Sequence, residues 1–201
     1  MNRRRSLLRA AFGALTGAFV GVNAGCSSLP RTAQALFETA PVFALQGRFS
    51  ATVTTATGSE NLTARIEWKH AANADELTLG SPLGNDLARI TRNAQGVELI
   101  TARQERFTAP DVESLTQTHL GFTLPLTQLV AWVQAEPATT SAQVERDAQG
   151  RALRLNEDGW VIEYVYADEA SKQARRITML RAASATHAQS LELRLVIERW
   201  A

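Results

Sequence analysis

The chain has 201 residues, 45% of them apolar, and its 21 basic residues nearly balance its 20 acidic ones. The length predicts one domain with a substantial core, and the balanced charge lacks the basic excess that a nucleic-acid-binding surface needs. Because the chain has only one cysteine, it forms no internal disulfide.

The first 25 residues have the order of regions typical of a bacterial export signal. A basic region comes first and consists of Arg3, Arg4, Arg5 and Arg9. Residues 10–22 are apolar or small, a run too short for a transmembrane helix, which needs about 20 apolar residues. The arginines leave open whether export follows the Sec or the twin-arginine route.

Cys26 follows this signal at the position where a lipoprotein signal peptidase would cut. The residues directly before it are small, although Asn23 replaces the aliphatic residue that is usual in such a lipoprotein box. We therefore expect residues 1–25 to be a lipoprotein signal peptide and Cys26 to be lipidated. Residues 26–41 are then a lipidated tether, and residues 42–201 a single domain. Removal of the signal leaves 17 basic and 20 acidic residues.

From residue 42 onward, apolar and polar residues alternate over short runs, the pattern of half-buried β-strands. The first two runs, residues 43–54 and 62–69, predict a long hairpin with one apolar face. Further strands are predicted over residues 77–81, 87–92, 97–101, 105–108, 143–147, 153–156, 160–166, 173–181 and 191–200. The short turns between them predict antiparallel pairing.

Two helices are predicted in the middle of the chain. The first follows a capping box at residues 108–111, and its common face consists of Val112, Leu115, Thr116 and His119. The second opens at Pro125, has Trp132 at the border of its apolar stripe, and forms that stripe from Leu126, Leu129, Val130 and Val133. About ten strands with two inserted helices indicate a mainly β fold, an unclosed antiparallel β-barrel with the helices over its mouth.

The segment from Leu79 to Gly84 predicts a strand that runs into a tight turn. Ser81, Pro82 and Gly84 suit the first, second and fourth positions of a type I turn, which leaves Leu83 at the crest. Two interpretations are open: a leucine folded back onto the protein, and an apolar finger held out for a partner. The local sequence favours the first.

No arrangement of residues in the sequence supports catalysis or cofactor binding. The chain contains no nucleophile elbow, phosphate-cradling glycine loop or zinc-protease motif, and its three histidines lack the spacing of metal ligands. Its acidic pairs are Asp75-Glu76, Glu157-Asp158 and Asp168-Glu169. All three lie at predicted turns, where solubility explains them more simply than a catalytic dyad does. We therefore expect no catalytic residue, no metal site and no cofactor.

Large apolar and aromatic residues are concentrated on the predicted strands and helices. The alternation of the strands turns inward the side chains of Leu45, Phe49, Ile66, Trp68 and Trp160. In a small barrel, such side chains either fill the interior or surround one ligand. The sequence pattern leaves both arrangements open.

Six segments of the mature chain carry a family resemblance. They are Phe43–Arg48, Ala64–Trp68, Leu79–Gly84, Leu120–Leu126 with Trp132, Gly159–Tyr164 and Leu193–Trp200. Taken in order after a lipoprotein signal, these segments resemble the LolB family of outer-membrane lipoprotein receptors over nearly the whole mature chain. The resemblance implies a LolA/LolB-like unclosed barrel with a helical lid and an internal apolar cavity.

The resemblance also implies a receptor anchored at the periplasmic face of the outer membrane. Such a receptor takes lipoproteins from the periplasmic carrier LolA and inserts them into the outer membrane, while their acyl chains bind in the cavity. The candidates to line that cavity are Leu45, Phe49, Ile66, Trp68, Leu79, Leu115, Trp132, Trp160 and Tyr164. The family's loop leucine, which is needed for delivery to the membrane, maps to Leu83. The implied partners are a LolA-type carrier, client lipoproteins and outer-membrane lipid, bound by a monomer.

Two functions of other classes are also compatible with the sequence. One is a structural or assembly lipoprotein of the outer membrane that has a filled core and binds a protein partner. The other is a lipid-modifying enzyme. Displacement of an apolar fluorescent probe by an acylated peptide distinguishes a carrier from a structural protein, and turnover of an ester would support the enzyme.

Overall fold

The computed structural model describes residues 42–120, 122–185 and 187–201. The signal peptide, the tether and Cys26 lie outside these residues, and so does Gly121, the predicted end of the first helix. The described part contains eleven β-strands and two α-helices, and neither helix is long and apolar enough to cross a membrane. The prediction of a mainly β fold with two inserted helices is confirmed.

All eleven strands belong to one antiparallel sheet. They are β1 (Phe43–Thr55), β2 (Gly58–Ala71), β3 (Ala74–Gly80), β4 (Asp86–Asn93), β5 (Gly96–Thr101), β6 (Arg106–Ala109), β7 (Gln143–Arg146), β8 (Ala152–Glu157), β9 (Trp160–Tyr166), β10 (Ala174–Arg181) and β11 (Ser190–Trp200). Their order across the sheet is β6-β5-β4-β3-β2-β1-β11-β10-β9-β8-β7. The short strands β6 and β7 are the two edges and do not pair with each other, so the barrel is unclosed, as the sequence predicts.

The two helices connect these edge strands and cover the inner face of the sheet. They are α1 (Val112–Leu120) and α2 (Leu126–Val133). Val112 and Leu115 of α1 and Leu126, Leu129, Trp132 and Val133 of α2 are buried in the same core cluster as the inward side chains of the strands. We call α1, α2 and the described residues between them the lid.

The strands bury one face because their side chains alternate. In β2, Ala64, Ile66 and Trp68 are buried, whereas the intervening residues Arg65 and Glu67 are exposed. A one-residue slip of the pairing would turn every apolar side chain toward water, so this alternation fixes the register of each strand. The same alternation continues around the sheet to β11, where Leu191, Leu193, Leu195 and Ile197 are buried.

Gly47 allows β1 to bend against β11. The pairing of the two strands shifts between Gln46 and Gly47, which marks a β-bulge. A Cβ atom on Gly47 would lie 2.1 Å from the carbonyl oxygen of Val196, far inside contact distance. The close approach of the two backbones therefore requires glycine at this position.

Two details of the helices differ from the sequence prediction. The cap of α1 is Asp111, whose Oδ1 accepts a 2.7 Å hydrogen bond from Ser114 N, and not the box that begins at Thr108. In α2, Trp132 is 0% exposed and belongs to the buried face, whereas Val130 is only half-buried. The indole of Trp132 reaches the wall of the barrel, so α2 is rotated toward the side on which Trp132 lies.

The turn prediction is wrong for Asp75-Glu76 and for Glu157, whereas Asp158 is exposed in the turn between β8 and β9. Asp75 lies inside β3 and is 1% exposed, and Glu157 is the last residue of β8 and is 4% exposed. Both carboxylates accept hydrogen bonds from side chains on other elements, and those bonds compensate for burial. The third pair, Asp168-Glu169, is exposed between β9 and β10 as expected.

Candidate functional site

An apolar cavity lies between the lid and the strands. Its volume is about 40 Å³, and every side chain that lines it is apolar. The lining residues are Phe49, Leu62, Ile66, Trp68, Leu77, Leu79, Ile90, Phe122, Leu124, Leu129, Val133, Met179 and Leu195. No polar group is available to hold water in this cavity, so it is suited to hydrocarbon.

Four of the nine residues expected to line a cavity do so in the structure. They are Phe49, Ile66, Trp68 and Leu79, all on β1, β2 or β3. The other five are buried in the surrounding core and do not line the cavity: Leu45, Leu115, Trp132, Trp160 and Tyr164. Most of the strand residues that line the cavity therefore come from β1 to β4, and none comes from β8 or β9.

Sequence reasoning missed most of the lid and far-wall residues of the cavity. Phe122 and Leu124 come from the segment between the helices, which has no periodicity that would turn a side chain inward. Leu129 and Val133 were on the predicted helical stripe, and Met179 and Leu195 alternate inward on predicted strands. Only the packing of the lid on the sheet brings these groups to one place.

Hydrogen bonds within the lid hold its connecting segment in place. Leu124 N donates to Oγ1 of Thr116 at 2.9 Å, and Leu126 N donates to Oε1 of Glu113 at 3.0 Å. Both acceptors belong to α1 and both donors precede or begin α2. The two helices therefore form one unit, with Leu124 presented to the cavity from its centre.

The carboxylate of Glu157 ties the lid to the wall of the barrel. Its Oε2 accepts hydrogen bonds from Nε1 of Trp132 at 2.6 Å and from Ala138 N at 3.1 Å. Burial by itself raises the pKa of the Glu157 carboxyl, but hydrogen bonds from Thr139, Trp132 and Ala138 outweigh it and hold the pKa below its ordinary value. Glu157 thus remains a charged acceptor beside the lid.

The carboxylate of Asp75 holds the indole ring of Trp68, a residue that lines the cavity. Its Oδ1 accepts a 2.8 Å hydrogen bond from Nε1 of Trp68, which lines the cavity, and lies 2.8 Å from Nδ1 of His70. Its Oδ2 accepts a 2.6 Å hydrogen bond from Nε of Arg92. This buried network spans β2, β3 and β4, so the aromatic wall of the cavity is held rigidly.

Arg181, the last residue of β10, is a buried charge without a counter-charge. It is 9% exposed, and among the described residues its Nε has no hydrogen-bond partner. Its Cζ lies 5.0 Å from the centre of the Trp160 ring, and that ring lies 5.5 Å from the Trp132 ring of the lid. Burial lowers the pKa of Arg181 from its ordinary value. Arg181 was not among the predicted site residues, because the alternation that turns a leucine inward turns an arginine inward at the same position.

The turn at Leu83 projects from the barrel. Gly84 N donates to Ser81 O at 2.9 Å, which closes the predicted turn, and Ser81 N donates to Asn85 O at 2.7 Å. Leu83 is 92% exposed at the crest, so the interpretation favoured by the local sequence, a leucine packed onto the body, is wrong. A rigid turn therefore holds a bare leucine in solvent.

In the described residues, no group of three or more histidine, cysteine, aspartate or glutamate side chains is placed to hold a metal ion. The features that the structure brings together are instead a dry cavity, a lid tied to the wall, a buried arginine and an exposed leucine on a turn. They are compatible with binding of an apolar molecule.

Comparison with known proteins finds relatives over most of the chain. A family model described as outer membrane lipoprotein LolB matches residues 41–200. A protein of Thiobacillus denitrificans named outer-membrane lipoprotein LolB is 35% identical over 179 residues, which are 88% of this chain and 90% of that protein. The protein of the same name from Azoarcus sp. is 34% identical over 95% of this chain and 94% of its own. That from Ralstonia nicotianae is 34% identical over 94% of this chain and 97% of its own.

Proposed function

Because the chain belongs to the LolB family of outer membrane lipoproteins, we propose that it is a receptor that takes lipoproteins from a LolA-type periplasmic carrier and inserts them into the outer membrane. The observation that supports this role is the wholly apolar cavity beneath the lid, which offers acyl chains a site out of water. In this proposal the receptor stands at the periplasmic face of the membrane and acts as a monomer.

The hydrophobic effect explains why such a receptor is needed. Each methylene group withdrawn from water contributes about 0.8 kcal/mol, so a lipoprotein with several acyl chains crosses an aqueous compartment only inside an apolar container. Transfer then runs from a weaker binder to a tighter one and finally to the bilayer. The proposed receptor needs no chemical reaction to drive this transfer, because the bilayer is the most favourable environment for the acyl chains.

Acyl chains enter only if the lid moves. The cavity of about 40 Å³ has room for roughly three water molecules, far less than the bulk of one long acyl chain. The lid lines the cavity through Phe122, Leu124, Leu129 and Val133, so displacement of the lid both opens and enlarges the site. In the structure the lid covers the site.

The anchor in this proposal is Cys26, which carries acyl chains after removal of residues 1–25. Its place after a basic and then an apolar region supports the assignment. Mass spectrometry of the mature N-terminus tests it: a lipidated Cys26 as the first residue is expected. An unmodified Cys26 or cleavage at another position contradicts it.

The proposed function is tested with the full mature chain carrying Cys26→Ala, which leaves the domain without a lipid of its own. An apolar fluorescent probe is bound first, and a synthetic triacylated cysteine peptide is then added. We expect the acylated peptide to displace the probe and the same peptide without acyl chains to leave it bound. A structural protein with a filled core would bind neither the probe nor the acylated peptide. Turnover of an ester-linked peptide would support the lipid-modifying enzyme instead.

Two neighbouring residues of β10 provide a matched pair of variants for this assay. Met179 lines the cavity, whereas Leu180 points to the outside of the barrel and is partly exposed. Met179→Trp fills the cavity and lowers the affinity for the acylated peptide, whereas Leu180→Trp leaves it unchanged. Equal affinities of the two variants, both folded, would contradict binding in this cavity.

A further inference from the structure

The guanidinium of Arg181 has no partner that accounts for its burial. Moving a charge out of water is costly, and buried cations are normally paired with an acidic group. Among the described residues Arg181 forms no ion pair, and its contact is the face of Trp160. A cation that is held over an aromatic ring and has a buried Nε without a partner is a candidate site for an acceptor from outside the protein.

The nearest acidic group on the inner face does not neutralise Arg181. Glu157 is in register with Trp160 on β9, and Trp160 is in register with Arg181 on β10, so the indole separates the carboxylate from the guanidinium. Oε2 of Glu157 accepts from Trp132 and Ala138, and Oε1 has no hydrogen-bond partner among the described residues, Arg181 included. Arg181 is therefore available to an external acceptor.

Arg181 lies directly beyond the cavity along its own strand. Met179 lines the cavity, and Arg181 is the next inward residue of β10, about 7 Å farther along. Its neighbour Trp160 contacts Trp132, and the residue that follows Trp132 in α2, Val133, also lines the cavity. The polar end of an acyl chain that leaves the cavity along β10 would therefore approach the guanidinium.

We propose that Arg181 binds the ester carbonyl oxygens at the polar end of an acyl chain whose hydrocarbon occupies the cavity. This inference rests on the proposed function and adds a polar contact to a site that is otherwise apolar. A cavity without polar atoms accepts hydrocarbon but does not fix its depth, whereas hydrogen bonds from a guanidinium to carbonyl oxygens set where the chain stops.

The test compares two synthetic cysteine peptides that differ only in how their two hexadecyl chains are joined to glycerol. One peptide has ester links and the other has ether links, which lack the carbonyl oxygens. The mature chain with Cys26→Ala is the reference protein. We expect it to bind the ester-linked peptide roughly tenfold more tightly, the size of one charge-assisted hydrogen bond.

Arg181→Met retains an unbranched side chain over Trp160 and removes the donors. We expect it to bind both peptides with the affinity that the reference protein has for the ether-linked one. Arg181→Gln, a neutral donor, retains part of the ester preference. The matched control is Arg194→Met, a change of an exposed arginine on the outer face of β11, and it keeps the full preference.

The outcomes separate this inference from the proposed function. If the reference protein binds neither peptide, the proposed function fails. If it binds both peptides equally, or if folded Arg181→Met keeps the ester preference, Arg181 is only a solvated arginine and the inference is overturned while acyl binding stands. Thermal unfolding of each variant shows that it is folded, and Arg181→Met is expected to be at least as stable as the reference, because it removes an uncompensated buried charge.

Discussion

The indole nitrogen of Trp132 donates a 2.6 Å hydrogen bond to Oε2 of Glu157, and this bond joins the lid to the wall of the barrel. The same oxygen accepts a hydrogen bond from Ala138 N, in the segment that leads from α2 to β7. One carboxylate oxygen thus holds the end of the lid and the chain that follows it. Any outward movement of α2 must break this contact.

Trp132→Phe should loosen the lid. The phenyl ring keeps most of the apolar packing and loses the hydrogen bond to a charged acceptor, which is worth about 1.5–3 kcal/mol. We expect a lower free energy of unfolding and faster uptake of an apolar fluorescent probe, measured by denaturant titration and stopped-flow fluorescence.

The control for this variant is Trp200→Phe. Trp200 also donates from its indole nitrogen, at 3.3 Å to Ala174 O, but this bond joins two strands and does not involve the lid. It should lose some stability without a change in the rate of probe uptake. Equal uptake rates in Trp132→Phe and the wild type would show that the Trp132–Glu157 bond does not limit opening.

The stability that Glu157 provides should depend on pH in a defined direction. Hydrogen bonds lower its pKa in the folded protein, so its contribution is fully present above its ordinary carboxyl pKa of 4.5 and is lost as the pH falls through the lower folded value. We expect the wild type to exceed Glu157→Gln in free energy of unfolding by a constant amount near neutral pH. Below about pH 4.5 that difference should shrink. A difference that is the same at pH 7 and pH 3 would contradict the assigned shift.

Leu83→Glu should separate delivery from binding. Because Leu83 is fully outside the core, the change should alter the free energy of unfolding by no more than about 0.5 kcal/mol. Binding of an acylated client should survive, whereas release of the client into liposomes should fall, since a carboxylate opposes entry into hydrocarbon. Client transfer to liposomes and thermal unfolding measure the two effects.

Leu180→Glu is the matched control for Leu83→Glu. Leu180 is a partly exposed leucine on the outer wall of β10, a strand that β2, β1 and β11 separate from β3 in the sheet. It should deliver clients like the wild type. Normal delivery by Leu83→Glu, or an equal loss in both variants, would refute a specific role for the turn.

Gly47→Ala should destabilise the barrel severely. The new Cβ would collide with the carbonyl oxygen of Val196, a backbone atom that cannot rotate away. We expect a loss of about 3 kcal/mol or more, which lowers the melting temperature by roughly 10 °C. Gly80→Ala is the control, because a Cβ there meets its nearest atom at an ordinary contact distance of 3.5 Å. Similar melting temperatures for the two variants would contradict this account.

The strands and the turn were predictable from the sequence because their signals are local. Alternation with period two identified β9 at Trp160–Tyr166 without error in its bounds, and Ser81, Pro82 and Gly84 identified the turn under Leu83. Whether Leu83 packs or projects depends on what surrounds the turn in space. No local pattern contains that information.

The buried polar groups were not predictable, because their partners are distant in sequence. The sequence around Glu157 is typical of a turn, and the donor that allows its burial is the indole of Trp132, 25 positions away. Asp75 likewise depends on Arg92, which lies 17 positions farther along the chain. The size of the cavity depends in the same way on how the lid packs onto the sheet, and packing of separate elements leaves no periodic trace in the sequence.

Val42, the first residue that the structure describes, lies at one end of the barrel wall, and the projecting Leu83 lies toward the other. Val42 N donates to His70 O, and His70 is in register with Asp75, five residues before the end of β3 at Gly80. The base of the turn is therefore about 17 Å along the wall from the point where the tether attaches. A relaxed segment of the length of residues 27–41 spans roughly 20 Å, and a fully extended one about 50 Å. If Cys26 is the anchor, as proposed, Leu83 reaches the same bilayer only when the tether spans this distance back along the barrel. The length of the tether then limits the orientations in which the receptor can contact its own membrane.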